Sequence, residues 1–307
     1  MFTGAYTAMV TPFKKDGAVD YETFRALIAL QAQAGMDGIV PVGTTGESPT
    51  LEFGEHEKII EVAVEEGRKH DLKVVAGTGA NSTAEALALT RHAMDVGVDG
   101  VLQVTPYYNK PTQEGLYRHF SAVADLGVPV VLYNVPSRTG REIAVDTVVR
   151  LAQHPQIAAV KEACDDMDRI GSILGRCDIV VLSGEDSQTF SMMALGGHGV
   201  ISVASNIAPK PVAAMVHHAL EGQWDEARAL HYKLHKLFND LFLETNPIPV
   251  KAAMAMAGLI EEVYRLPLCE MSEAPRQALR KTLEALAKPL RLGETPRPTL
   301  PDDGRTG

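Results

Sequence analysis

The chain has 307 residues, 45% of them hydrophobic, enough to bury the core of one large domain with or without an appendage. Its formal charge of -10 argues against nucleic acid, whose phosphates are neutralised by clustered Lys and Arg. No stretch approaches the roughly 20 apolar residues of a membrane span, residues 1–13 lack the basic start and apolar run of an export signal, and three scattered cysteines, Cys164, Cys177 and Cys269, suit neither a disulfide framework nor a zinc cage, so a cytoplasmic protein with reduced thiols is expected.

Short β-branched runs ending in Gly, Thr, Pro or Ser predict strands at 5–11, 38–43, 74–78, 101–105, 130–135, 158–162, 179–183 and 200–204. Helical periods fill the gaps. Asp20 opens one that Gly35 stops, Ser82 with Glu85 reads as a capping box for another stopped by Gly97, and 144–152 ends before Pro155. Strands as continuously apolar as PVVLY and IVVLSG are expected to be covered on both faces, as in a parallel sheet wrapped by helices. Eight such units predict an α/β fold, a closed (β/α)8 TIM barrel, with an open doubly wound sheet as the alternative. After Gly222 the strand pattern ceases, and helices are expected at 224–243, 248–259 and 273–290. The predicted organisation is a catalytic barrel over 1–223, a C-terminal helical region over 224–292, and a disordered tail over 293–307, rich in Pro, Gly and charge.

Catalytic groups of such barrels sit where strands end, at the C-terminal face. Thr44 and Thr45 follow the second strand, Tyr107 and Tyr108 the fourth, Tyr133 and Arg138 the fifth, Lys161 the sixth and Gly184 the seventh, while Ile201 lies in the eighth. Strand alternation that turns Val160 and Glu162 one way turns Lys161 the other, toward the barrel axis. A desolvated lysine there would offer a free amine to a carbonyl, the requirement for imine chemistry; the bland alternative is a strand lysine reaching solvent or paired inside. Strand-end tyrosines are ordinarily packing residues, yet beside such an amine a phenol can carry protons.

The segment GTTGES lacks the spacing and the lysine of a phosphate loop. It reads either as a plain βα turn or as a set of N–H groups and hydroxyls presented to a small carboxylate. His231 and His235 stand four apart, but no Glu completes a metal motif; solvated or interface histidines are expected there, and at His217 and His218.

Taken together, GTTGES, TPYYNKP, YNVPSRTG, AVKEA, GGHGVIS and NPIPVK closely resemble the 4-hydroxy-tetrahydrodipicolinate synthase family of pyruvate-dependent class I aldolases, over about residues 2–290. The resemblance implies that Lys161 forms an imine with pyruvate and that Thr44 and Thr45 hold the pyruvate carboxylate. It makes Tyr133 the proton carrier, linked through Thr44 to Tyr108, a residue that crosses from a neighbouring subunit in the family. Arg138 would bind the carboxylate of L-aspartate 4-semialdehyde, and Gly184 and the backbone of Ile201 would line the pyruvate pocket. It further implies a homotetramer built from dimers, no metal and no organic cofactor. A lysine-binding allosteric site would match His56, Asn81, Glu85 and Tyr107, whereas Pro49 and Phe53 depart from the lysine-sensitive pattern. The nearest rival on the same scaffold is a lyase for N-acetylneuraminate or a keto-deoxy sugar acid, and Arg138 argues against it: a guanidinium suits a substrate carboxylate rather than a polyhydroxylated aldehyde.

Overall fold

The computed structural model describes residues 2–286. Eight parallel strands close into a barrel in chain order: β1 Gly4–Ala8, β2 Gly38–Val40, β3 Lys73–Gly77, β4 Gly100–Val104, β5 Val130–Asn134, β6 Ile157–Glu162, β7 Val180–Ser183 and β8 Gly199–Ser202. β1 and β8 complete the ring with Tyr6 opposite Ile201. Each strand expected from the sequence is present, with ends displaced by a few residues; the open sheet is excluded by the closure.

Around the barrel lie α1 Tyr21–Gln33, α2 Phe53–Lys69, α3 Thr83–Val96, α4 Gln113–Ala124, α5 Pro136–Thr139, α6 Val145–Leu151, α7 Met167–Leu174, α8 Thr189–Ala194 and α9 Pro209–Leu220. Beyond them follow α10 Trp224–Asp240, α11 Ile248–Met256 and α12 Glu273–Leu286. The expected tail, and the last four residues of the expected final helix, lie outside the described residues. Asp20 caps α1 by accepting the Thr23 N–H at 3.1 Å, and Gly97 ends α3 in the left-handed conformation, as its sequence predicted. Ser82 departs from expectation, for its side chain caps nothing. A capping box instead opens α2, where Glu52 and Glu55 each bind the other's backbone N–H. Glutamate is not a favoured cap residue, so sequence pattern passed over it.

Two apolar layers result from the strand alternation. Val74, Val130, Val160 and Val181 face outward into the shell shared with the helices, whereas Tyr6, Val75, Val131, Ala159 and Leu182 fill the barrel. The base of the barrel is plugged by Phe2 and Tyr6, whose rings meet edge to face with centroids 6.4 Å apart. Glycines make room for them: a Cβ on Gly38 would lie 2.5 Å from the Tyr6 ring, and one on Gly100 would lie 2.6 Å from Phe2. Large and small residues thus interdigitate across the floor.

Gly38→Ala should therefore overpack the floor, since its methyl would also stand 2.6 Å from the Lys73 carbonyl, which cannot swing aside. We expect a loss of about 1–3 kcal/mol, read as a lowered unfolding midpoint in denaturant. A midpoint equal to that of the parent would show that Tyr6 is not pinned against β2.

Candidate functional site

The C-terminal rim of the barrel is organised by what the outward-facing residues do. Asn134 and Glu162, which end β5 and β6, point away from the axis, and Asn134 donates to the Glu162 carboxylate at 2.8 Å. Arg169 of α7 grips the same carboxylate with two donors, at 3.1 and 2.8 Å, in a buried ion pair. That lock fixes the register in which Tyr133 pairs with Lys161, one residue earlier on each strand, so both side chains enter the barrel.

Lys161 is 5% exposed, and its Nζ lies 4.2 Å from the centroid of the Tyr133 ring. Among the described residues no hydrogen bond or ion pair holds that amine. Gly184 leaves it space: a Cβ there would come within 3.0 Å of Lys161 Cε and 2.8 Å of Ala163 Cβ.

The Thr44–Thr45 turn faces it from β2. Val42 and Glu47 both take positive φ, 49° and 53°, a conformation a β-branched residue adopts only under constraint. The N–H groups of Gly46, Glu47 and Ser48 are spent within the turn, on the carbonyls of Gly43 and Thr44. Those of Thr44 and Thr45 donate to nothing among the described residues. Two adjacent unspent N–H groups beside a buried amine favour the second reading of this segment over a plain βα turn.

Distant chain holds the turn in place. Thr11 donates to the Gly46 carbonyl at 2.7 Å, and Asn246 donates to Thr45 Oγ1 at 2.9 Å. Beneath them Lys251 of α11, wholly buried, binds Glu47 at 2.5 Å and the Thr11 carbonyl at 3.2 Å. Arg138, in the short α5, donates to the Asn246 carbonyl at 3.1 Å and lines the cavity.

These groups enclose a cavity of about 130 Å³, lined by Thr44, Thr45, Tyr133, Arg138, Lys161 and Gly184 together with Glu185, Phe242 and Asn246. Sequence reasoning assigned no role to the last three. Two predicted residues are not brought to it. Ile201 sits in the barrel interior, and Val203, just past the end of β8, lines the cavity instead. Tyr108 stands 90% exposed with φ 72° on the loop after β4.

A second cavity, of about 390 Å³, shares Thr44, Tyr133 and Arg138 with the first and extends to Pro49, Phe53, His56, Glu85 and Tyr107. Asn81 does not line it; its carbonyl accepts from Asn109. His56 binds the Gly77 carbonyl at 3.0 Å, and burial pushes its imidazole down to about 4, so it is neutral at pH 7. Burial, with the Glu85 charge behind it, raises the Tyr107 phenol.

His231 is a correction. It is buried rather than solvated, with the rings of Phe190, Phe238 and His235 tilted against it. His217 is paired with Asp37 at 2.8 Å. Cys164 is held as a thiol, burial and the adjacent Glu162 pushing it up to about 12.

A family model described as the dihydrodipicolinate synthetase family matches residues 1–286. The chain belongs to that family. One relative, the 4-hydroxy-tetrahydrodipicolinate synthase of Aquifex aeolicus, is 52% identical over 295 residues, covering 95% of this chain and 100% of the relative. Another, from Hydrogenobaculum sp. strain Y04AAS1, is 51% identical over 287 residues, covering 92% and 98%. The crystal structure of dihydrodipicolinate synthase from Aquifex aeolicus matches with a TM-score of 0.90 at 53% identity, over 92% of this chain and 97% of that one. That of the chloride-inhibited synthase from Acinetobacter baumannii, complexed with pyruvate, gives 0.91 at 43% identity, over 93% and 99%.

The buried Lys251–Glu47 pair beneath the turn yields a test. Lys251→Met should strand a buried carboxylate and cost about 3–5 kcal/mol, whereas Lys251→Met with Glu47→Gln should regain most of it. Chemical unfolding of both variants checks this. Equal losses in the single and the double variant would show that the pair does not hold the turn.

Proposed function

We propose that the chain condenses pyruvate with L-aspartate 4-semialdehyde, through an imine on Lys161, to give 4-hydroxy-tetrahydrodipicolinate, the committed step of lysine and diaminopimelate biosynthesis. The chain is a lyase of the class I aldolase type, as its family and relatives make it. What carries the mechanistic reading is the amine of Lys161, buried, unpaired, and facing two unspent N–H groups across a cavity sized for a small acid.

In this reading the pyruvate carboxylate accepts from the N–H groups of Thr44 and Thr45, which presents its keto carbon to Nζ. The amine adds to that carbon, water departs, and the imine draws a proton from the neighbouring methyl to give an enamine. Tyr133 would deliver and remove these protons, a role that its ring lying against Nζ supports. The enamine carbon attacks the aldehyde, while Arg138 holds the aldehyde's carboxylate by a charge-assisted pair. Ring closure by the substrate's own amine then frees Lys161.

Tyr108 would join the relay through Thr44 from a second subunit of a homotetramer; its exposure in the single chain suits that role. Of the residues that match a lysine site, His56, Glu85 and Tyr107 line the wider cavity and Asn81 does not, while Pro49 and Phe53, which depart from the lysine-sensitive pattern, give its wall an apolar stretch.

Borohydride added with pyruvate should leave a reduced adduct on Lys161, located by peptide mass spectrometry. Mass on a different lysine, or on none from an enzyme that turns over, would refute the imine assignment. Arg138→Ala should separate the two substrates. Efficiency with aspartate semialdehyde should fall about 10²-fold or more, as for loss of a charged partner, while pyruvate trapping persists. Because Arg138 also donates to the Asn246 carbonyl, a purely bracing role predicts that trapping and condensation fail together. Sugar-acid cleavage assayed alongside decides against the rival lyase.

A further inference from the structure

One titratable group on the cavity wall has no part in the chemistry described so far. Glu185 follows Gly184 directly, and its backbone is fixed: its carbonyl accepts from Ser183 Oγ at 2.7 Å and Thr189 Oγ1 at 3.1 Å, and its N–H donates to Ser183 Oγ at 3.2 Å. The side chain lines the 130 Å³ cavity with Lys161, Arg138 and Asn246. Its carboxyl oxygens make no hydrogen bond or ion pair among the described residues. A half-buried acid on a cavity wall with no partner of its own is a natural acceptor for a cation that enters the cavity.

The neighbour beyond it behaves differently. Asp186 is buried where Glu185 is half-buried, and one of its oxygens accepts the N–H groups of Val203 and Ala204, at 3.0 and 2.9 Å, and so ties the end of β7 to the end of β8. Its other oxygen, Oδ1, is buried without a partner among the described residues, but Asp186 does not line the cavity, whereas Glu185 does.

The proposed reaction supplies a partner. The aldehyde substrate carries its carboxylate and its ammonium on one carbon, so a site that reads it needs a cation and an anion close together. Arg138 is the cation. We propose that Glu185 receives the α-ammonium of the aldehyde substrate and takes its proton before ring closure, an inference that rests on the condensation proposed above.

The step balances as follows. The Glu185 carboxylate removes one proton from the ammonium, leaving a neutral amine. The lone pair so released forms the carbon–nitrogen bond to the imine carbon, a proton passes from that nitrogen to Nζ, and the carbon–Nζ bond breaks with its electrons going to Nζ. The proton on Glu185 leaves to water, which restores the carboxylate. Burial, and behind it the charge of Asp186, push the Glu185 carboxyl up to about 7, against the pull of Lys161 and Arg138, with Asp165 adding a further push. A group so poised exchanges a proton near neutrality, which an ordinary surface glutamate does poorly. Glu185 would also set specificity, because a polyhydroxylated aldehyde has no ammonium to offer it.

The test uses the full-length enzyme with two aldehydes, aspartate semialdehyde and 4-oxobutanoate, which keeps the aldehyde and carboxylate but lacks the amine. Glu185→Gln should lower kcat/KM for aspartate semialdehyde about 10²-fold, with kcat falling as well as KM rising. Glu185→Asp should restore about tenfold of that loss. The constant for inhibition by 4-oxobutanoate should stay within about twofold, and borohydride trapping of pyruvate on Lys161 should be unchanged. Equal losses toward both aldehydes, or impaired trapping, would assign Glu185 a structural role and overturn the inference, as would a Glu185→Gln enzyme of parental efficiency. A parent enzyme that traps pyruvate but never condenses aspartate semialdehyde would overturn the proposed reaction itself, a failure visible before any variant is made.

Discussion

An ammonium and a carboxylate shut away from water join the two halves of this protein's chemistry. Lys251 and Glu47 are both 0% exposed, and desolvating two such charges is costly unless geometry and added hydrogen bonds offset it. Here the lysine also reaches the Thr11 carbonyl, and the other oxygen of Glu47 accepts the Arg265 N–H. The pair sits under a turn with two residues in the left-handed region, a shape the local sequence does not favour by itself. Through it the C-terminal helices serve as the clamp on that turn, and the alignment of the Thr44 and Thr45 N–H groups depends on residues some two hundred positions downstream.

The amine of Lys161 is held in the barrel by what surrounds it at one remove. Each strand that supplies an inward functional group is secured by the outward residue beside it. Glu162 is bound by Arg169 and Asn134, which leaves Lys161 and Tyr133 no choice of face. Rigid support on the outer surface and an unpaired amine on the inner one are two results of a single alternation.

Much of this was legible in the sequence, for reasons that particular residues make plain. The eight strands announce themselves because parallel strands covered on both faces must be apolar throughout, and Lys161 stands out as the ion that interrupts one of them. The Ser82 cap was wrong because a local rule for helix starts carries no knowledge of what else the side chain meets. Glu185 was invisible for a different reason: an acid after a strand is ordinary, and only the structure sets it on the cavity wall with no partner among the described residues. Asn246 and Lys251 were equally beyond reach, since their meaning lies in contacts with Thr45 and Glu47 that span almost the whole fold. Tyr108 and Ile201 carried over by resemblance, not by any local signal, and the single chain gathers neither into the cavity lining.

The alternation along β6 also sets how this site can change over evolutionary time. Lys161 and Glu162 are adjacent, of opposite charge, and committed to opposite faces. A one-residue insertion or deletion within that strand would exchange them, sending a carboxylate into the cavity and an ammonium against Arg169. Both errors arise from the same slip and neither repairs the other. Variation by length is thus closed to this strand and left to the loops at its ends, so diversification of the scaffold toward other aldehydes is confined to substitution at the rim.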